Sequence, residues 1–211
     1  MVNGNSVRKT RISALATYVP PKILDNQTLC RMVDTTDEWI LQRTGIKTRH
    51  IVEKGVAASD LGKEAALKAI ANAGLTPDDI DVIVVGTTTP DMFFPNTASL
   101  IQTKIGATKC WGFDVAAACS GFTYSVGIAS DLVAAGRCGR ALVVGADVMS
   151  SITDYTDRTT CVLFGDGAGA VIIENDGSMW PALQMPAGGS LHPASHETVD
   201  KKMHFMKQDG Q

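Results

Sequence analysis

Asp81-Val82-Ile83-Val84-Val85-Gly86 is a short apolar run bounded by an acid and a glycine. With no polar alternation inside it, the run reads as a strand buried on both faces, the signature of a sheet covered by helices on each side. The flanking segments fit that frame. Upstream, Leu61, Ala65, Ala69, Ile70 and Ala73 recur at helical spacing, with Ser59 as N-cap and Gly74 as the stop before Pro77. Downstream, a helix is expected from about Asn96 to Lys104, then a strand from Trp111 to Val115. A long helix from Ser120 to Ala135, ended by Gly136, and a strand from Arg140 to Val144 follow. This alternation predicts an α/β fold with a largely parallel sheet.

Cys161-Val162-Leu163-Phe164-Gly165-Asp166-Gly167-Ala168-Gly169-Ala170-Val171-Ile172-Ile173 reads as two apolar segments around a glycine turn. The glycine spacing hints at a phosphate loop. The GK[ST] ending is absent, however, and a strand-like run follows where a helix is required, so close backbone packing is the better reading. From Asn175 onward the periodicity fades. Gly188-Gly189-Ser190, His192, Pro193 and His196 read as loop, and Lys202 to Lys207 as one short strand.

Composition narrows the function classes. The 211 residues carry 19 Lys+Arg against 22 Asp+Glu, a net charge of −3, which argues against a nucleic-acid partner. A hydrophobic fraction of 45% with 19% charged residues suits a globular core and excludes a disordered chain. Arg8, Lys9 and Arg11 precede only a short apolar stretch, Ile12 to Ala16, which does not make a signal peptide. No apolar run approaches the roughly 18 residues of a membrane span, so a soluble, cytoplasmic protein without membrane partners is expected. Five cysteines, Cys30, Cys110, Cys119, Cys138 and Cys161, show no CxxC spacing, which disfavours a disulfide framework and a zinc site alike. No metal or redox cofactor is expected.

One cysteine stands apart. In Phe113-Asp114-Val115-Ala116-Ala117-Ala118-Cys119-Ser120-Gly121-Phe122, a strand runs through small residues into a long helix, which places Cys119 on a tight turn at the helix N-terminus. Unpaired N–H groups and the helix dipole favour a nucleophilic thiolate at such a place. The alternative is a small buried hydrophobe, the common role of cysteine, and both readings stand on these residues alone. Likewise, Trp39 at helical spacing from Arg43 reads in isolation as a half-buried anchor beside a solvated charge. Phe94 reads as an ordinary core aromatic.

Taken together, the motifs resemble the β-ketoacyl-acyl carrier protein synthases III of the thiolase superfamily. The resemblance is carried by Asp34-Thr35-Thr36-Asp37-Glu38-Trp39-Ile40 with Arg43-Thr44-Gly45-Ile46, by the Asp114 to Phe122 segment, by Thr156-Asp157-Arg158, and by Phe164-Gly165-Asp166-Gly167-Ala168-Gly169-Ala170. It implies a thiolase-like fold of which this chain is the N-terminal βα half, a mostly parallel mixed sheet with covering helices. Residues 1–174 form the N-terminal domain on this reading, and residues 175–211 connect to a C-terminal domain that is absent.

The resemblance further implies that Cys119 accepts an acyl group from a primer acyl-CoA, acetyl-CoA above all, and that the acyl-enzyme condenses with malonyl-acyl carrier protein as carbon dioxide leaves. The coenzyme A thioester is then a substrate and no cofactor is implied. Thr35, Trp39, Arg43 and Arg158 match the family's CoA-binding positions, where indole stacks on adenine and guanidinium groups pair with phosphates. Phe94, Met149, Val162 and Leu163 match the primer pocket, Phe94 by reaching across a homodimer.

The family's decarboxylating histidine and asparagine belong to the second half. His50, His192, His196 and His204 do not match that position, and His50 falls in a surface-like Thr48-Arg49-His50 segment. A truncated or cleaved product, or one chain of a split enzyme completed by a complementary C-terminal chain, is therefore expected, with apolar surface exposed where the second half would pack. Two further readings stay open: a related condensing or acyl-transfer enzyme of secondary metabolism, and a non-catalytic subunit.

Overall fold

Val82 and Val84 face one side of a central strand, Ile83 and Val85 the other, and all four are fully buried. That is the physical reason for an apolar run without alternation, each side chain contributing about 1.5–3 kcal/mol by leaving water. The computed structural model describes residues 9–176, 183–184, 187, 193–205 and 207–208. They fall into two units, within residues 1–175 and 176–211.

The first unit opens with β1 (Lys9–Tyr18), β2 (Lys22–Asp25), α1 (Asn26–Cys30), α2 (Asp37–Thr44) and β3 (Thr48–Ile51). It continues with α3 (Ala58–Asn72), β4 (Val82–Gly86), α4 (Thr97–Ile105), β5 (Trp111–Val115) and α5 (Gly121–Ala134). The strands β6 (Arg140–Val148) and β7 (Asp166–Asp176) complete it. Five strands form one sheet in the order β1-β7-β6-β4-β5, and β2 and β3 make a separate antiparallel pair. β4 is parallel to both β5 and β6, whereas β7 is antiparallel to β6. The sheet is thus mixed, with parallel strands at the side that carries Cys119.

Each face of the sheet has its own core. Leu61, Ala65 and Ala69 of α3 and Ala98, Ile101 and Ile105 of α4 pack against Ile83, Val85, Leu142 and Val144. On the opposite face, Ala129 and Val133 of α5 pack against Val82, Val84, Ala141 and Val143. Gly74 and Gly136, read as helix stops, adopt φ of 68° and 70°, which a side chain would strain.

Several local expectations are corrected. Ser59 lies inside α3; Ala57 holds the N-cap position, its N–H donating to the Asp60 carboxylate at 3.0 Å. Ser59 instead gives its N–H and hydroxyl to Asp91, at 2.8 and 2.5 Å. The glycines at 167 and 169 form no turn. They lie within β7 opposite Asp147 and Gly145, and the run preceding Gly165 is a turn, not a strand. Long-range pairing with β6 decides this, and no local pattern reports it.

In the second unit, β8 (Leu183–Gln184) pairs antiparallel with β9 (Lys207–Gln208), and between them in sequence lies the short α6 (His196–Asp200). His196 is therefore helical, and residues 201–205 form turns where the sequence suggested strand. Ser195 caps α6, its hydroxyl accepting from the Thr198 N–H at 3.2 Å. Gly188, Gly189, Ser190 and His192 lie outside the described residues.

Candidate active site

The turn that bears Cys119 is built at the C-terminal ends of β4 and β5, the end of parallel strands where α/β sheets place their sites. After Val115 the chain makes a single 3-10 turn, Ala118–Ser120, and enters α5 at Gly121. Ala118 takes a left-handed φ of 45°, rare for a residue with a side chain and held only where the surroundings fix it. Cys119 is exposed.

What fixes the turn is close backbone contact beneath it. A Cβ on Gly86 would lie 2.7 Å from both the carbonyl carbon of Gly121 and the amide nitrogen of Phe122, so the end of β4 touches the start of α5. The buried stripe of α5, Gly121, Ser125, Ala129 and Val133, has small side chains at its first three positions, which brings the helix down onto the sheet. Its other side leaves Phe122, Tyr124 and Ile128 exposed.

Three carboxylates that drew no notice as functional residues pin the loops around this edge. Asp114, next to the end of β5, accepts the Thr97 and Ala98 N–H groups at 2.7 and 2.8 Å and so caps α4. Asp147 on β6 accepts from Thr88 N–H at 2.8 Å and from the Thr89 hydroxyl at 3.0 Å, fixing the loop after β4. Asp166, the buried acid at the start of β7, accepts from Val52 N–H and Ser150 N–H, both at 2.8 Å. All three partnerships are long-range, so spacing gave no signal for them.

A second cluster forms around Trp39. Thr36 caps α2, its hydroxyl accepting the Trp39 N–H at 3.1 Å, and Asp37 and Glu38 in the first turn with Arg43 in the last suit the helix dipole. The Arg43 guanidinium carbon lies 5.9 Å from the Trp39 ring centroid and that of Arg158 lies 5.0 Å from it. Arg158 is presented by two tight turns. Asp154 accepts Thr156 N–H and Asp157 accepts Thr159 N–H, each at 2.8 Å, and these threonine hydrogen bonds hold both carboxyls below their ordinary range. Two cations against one indole make a surface suited to an aromatic polyanion. The Thr35 hydroxyl is buried with no hydrogen-bond partner among the described residues.

The pocket candidates are more dispersed. Val162 is buried with Leu24, Leu29, Ile40 and Cys161, in the core on which Trp39 packs. Met149 is half-buried at the start of a 3-10 turn after β6, Leu163 is 41% exposed, and Phe94 is 89% exposed beside a fully exposed Phe93. Phe94 is therefore no core aromatic in this chain. Among the described residues, no hydrogen bond joins Cys119 to a histidine. His50 bonds through Nδ1 to the Pro20 carbonyl at 2.6 Å, and His204 through Nε2 to the Thr198 hydroxyl at 2.8 Å. Burial pushes the thiols of Cys110, Cys138 and Cys161 up, which leaves them poor nucleophiles.

Comparison with known proteins gives these clusters a context. Residues 113–187, which begin two residues into β5 and include Cys119, match the family model described as 3-oxoacyl-[acyl-carrier-protein (ACP)] synthase III. The β-ketoacyl-[acyl-carrier-protein] synthase III of Koribacter versatilis (strain Ellin345) is 53% identical over 98% of this chain and 67% of its own length. The chain belongs to the β-ketoacyl-acyl carrier protein synthase III family. The synthase III of Solibacter usitatus (strain Ellin6076) is 50% identical, over 96% of this chain and 66% of its own length.

Among solved synthase III structures, that of 3-oxoacyl-[acyl-carrier-protein] synthase III from Aquifex aeolicus VF5 has a TM-score of 0.78 and 38% identity, covering 94% of this chain and 64% of that one. The priming β-ketosynthase of the R1128 polyketide biosynthetic pathway has a TM-score of 0.79 and 36% identity, covering 83% and 52%. The chain thus spans about two thirds of the length of its curated synthase III relatives and less of these solved ones. Thiolase-like architecture accounts for the mixed sheet. Among the described residues, no helix is long and apolar enough to cross a membrane.

Proposed function

We propose that this chain carries the acyl-accepting half of a β-ketoacyl-acyl carrier protein synthase III that starts fatty-acid synthesis. The observation that carries the reading is Cys119, exposed on the 3-10 turn that opens with the left-handed φ of Ala118 at the N-terminus of α5, in a chain of this family. The Cys119 thiolate attacks the thioester carbonyl of a primer acyl-CoA, acetyl-CoA in the first instance, through a tetrahedral oxyanion that the Cys119 N–H is suited to receive. Collapse expels the coenzyme A thiolate and leaves an acyl-enzyme. Trp39, Arg43, Arg158 and Thr35 hold the nucleotide, and Phe94, Met149, Val162 and Leu163 bound the primer.

Condensation then takes malonyl-acyl carrier protein. Loss of carbon dioxide gives the carbanion that attacks the acyl-enzyme carbonyl, and Cys119 leaves as thiolate. The histidine and asparagine for that step come from outside these 211 residues, on a continuation of the polypeptide or on a complementary chain. Residues 1–174 act as the catalytic N-terminal domain and 175–211 as the connection.

A homodimer fits the exposed features. β5 lies at the edge of the sheet with Trp111 exposed, and Phe93 and Phe94 project into solvent, where a neighbouring copy covers them. Polyketide priming is a second reading, supported by the likeness to the R1128 priming β-ketosynthase. Coenzyme A release from acetyl-CoA and longer acyl-CoAs, compared with Cys119→Ala, tests the first step and separates the two readings by primer length. Release unchanged in the variant contradicts both.

A further inference from the structure

The segment Thr48-Arg49-His50 looks like surface in the sequence, yet Arg49 is 3% exposed. A buried cation is a costly way to fill a core unless its donors are used, and burial indeed pushes this guanidinium down from its ordinary value. Among the described residues, no carboxylate forms an ion pair or hydrogen bond with it. Nε and Nη2 both donate to the Val162 carbonyl, Nε at 3.1 Å, and Nη1 donates to the side-chain oxygen of Asn26.

Asn26, itself 2% exposed, carries the connection onward. Its Nδ2 donates to Asp37 Oδ1 at 2.6 Å and to the Ile46 carbonyl at 2.9 Å. Asp37 is the first residue of α2 and Ile46 follows the Gly45 that ends it, so Asn26 holds the helix at both ends. The other arm reaches Val162, on the segment that presents Arg158. That segment lies directly on β3, since a Cβ on Gly165 would meet the His50 carbonyl oxygen at 2.9 Å and Arg49 Cβ at 3.1 Å.

We infer that Arg49 is a positioning residue: through Asn26 on one side and the Val162 carbonyl on the other, it sets the separation between Trp39 on α2 and Arg158 on the facing segment. The inference deepens the coenzyme A reading and rests on it for its purpose. The planar fork spreads its donors over three nitrogens and so reaches two acceptors on separate segments in one fixed geometry. Lysine gathers its donors on one nitrogen and cannot reproduce that spread, and an apolar side chain takes the guanidinium donors away from the Val162 carbonyl and Asn26 Oδ1.

The test is fluorine NMR of the 211-residue chain carrying 5-fluorotryptophan, with Trp39 assigned by Trp39→Phe and Arg158→Ala marking the shift of an indole without its guanidinium neighbour. Arg49→Met and Asn26→Ala should each move the Trp39 resonance toward the Arg158→Ala position while the Trp111 resonance stays in place. Arg49→Lys should not restore it. Coenzyme A affinity, measured by calorimetry, should fall about tenfold or more in both variants.

A Trp39 resonance unmoved in folded Arg49→Met overturns the inference. If that variant fails to fold, Asn26→Ala, which keeps Arg49 on the Val162 carbonyl and cuts its connection to α2, decides it in the same way. A resonance that moves in a chain whose wild type does not bind coenzyme A leaves the positioning role standing and removes the coenzyme A reading.

Discussion

Gly86 and Gly121 are in backbone contact: a Cβ on Gly86 would lie 2.7 Å from the Gly121 carbonyl carbon, leaving no room for a side chain between β4 and α5. The helix that follows Cys119 is therefore seated on the end of β4 by the absence of one methyl group. Gly86→Ala should destabilise the chain by about 1–3 kcal/mol, the usual cost of forcing atoms into packed space. It should also slow alkylation of Cys119, because the turn moves with the helix. Urea denaturation and timed iodoacetamide labelling measure the two effects.

Asp114 predicts a loss of stability without a loss of fold. Its carboxylate is held by two N–H groups of the first turn of α4, so Asp114→Ala should cost about 1–2 kcal/mol in a denaturant titration. Asn96 continues to accept the Ser99 N–H at 2.9 Å, which keeps the helix start defined.

The cysteines should separate by reactivity. Cys119 is exposed, while Cys110, Cys138 and Cys161 are buried and their thiols are pushed up by that burial. Brief alkylation near neutral pH followed by peptide mapping should modify Cys119 well ahead of those three, which should react only once urea opens the fold.

Glu174 gives the acid limb of stability a sign. Its carboxylate accepts from Arg11 Nη2 at 2.8 Å and lies 3.4 Å from Arg140 Nε, joining β1, β7 and β6. The Arg11 hydrogen bond, foremost, holds Glu174 below its ordinary value of 4.5. A depressed carboxylate contributes stability that is complete above the unfolded pKa and is lost as pH falls through the folded one. Glu174→Gln should therefore lower stability at neutral pH and leave it unchanged in strong acid, as paired urea titrations would report.

Segments with a local period were legible. β4, the bodies of α3, α4 and α5, and the start of β6 follow from apolar spacing because each buries a face or stripe that its own sequence must supply. β1 was not, since it carries Ile12 and Leu15 exposed alongside Thr10 and Arg11, and only its place beside β7 makes it a strand. Arg49 could not be read as buried because its acceptors, Asn26 and Val162, are remote in sequence. The Cys119 turn was visible in small residues running from strand to helix. The meeting of Trp39 with Arg158 was reached only through likeness to a family, since nothing in either segment encodes the other.

The most direct measurement is intact mass of the purified chain after incubation with acetyl-CoA and a series of longer acyl-CoAs, with the adduct mapped and Cys119→Ala as control. One acyl group on Cys119, absent from the variant, is the expected result, and the chain length best accepted identifies the primer. A folded chain that remains unmodified by every acyl-CoA, or one acylated equally well in Cys119→Ala, would contradict the assignment of Cys119 as the acyl-accepting nucleophile of this chain.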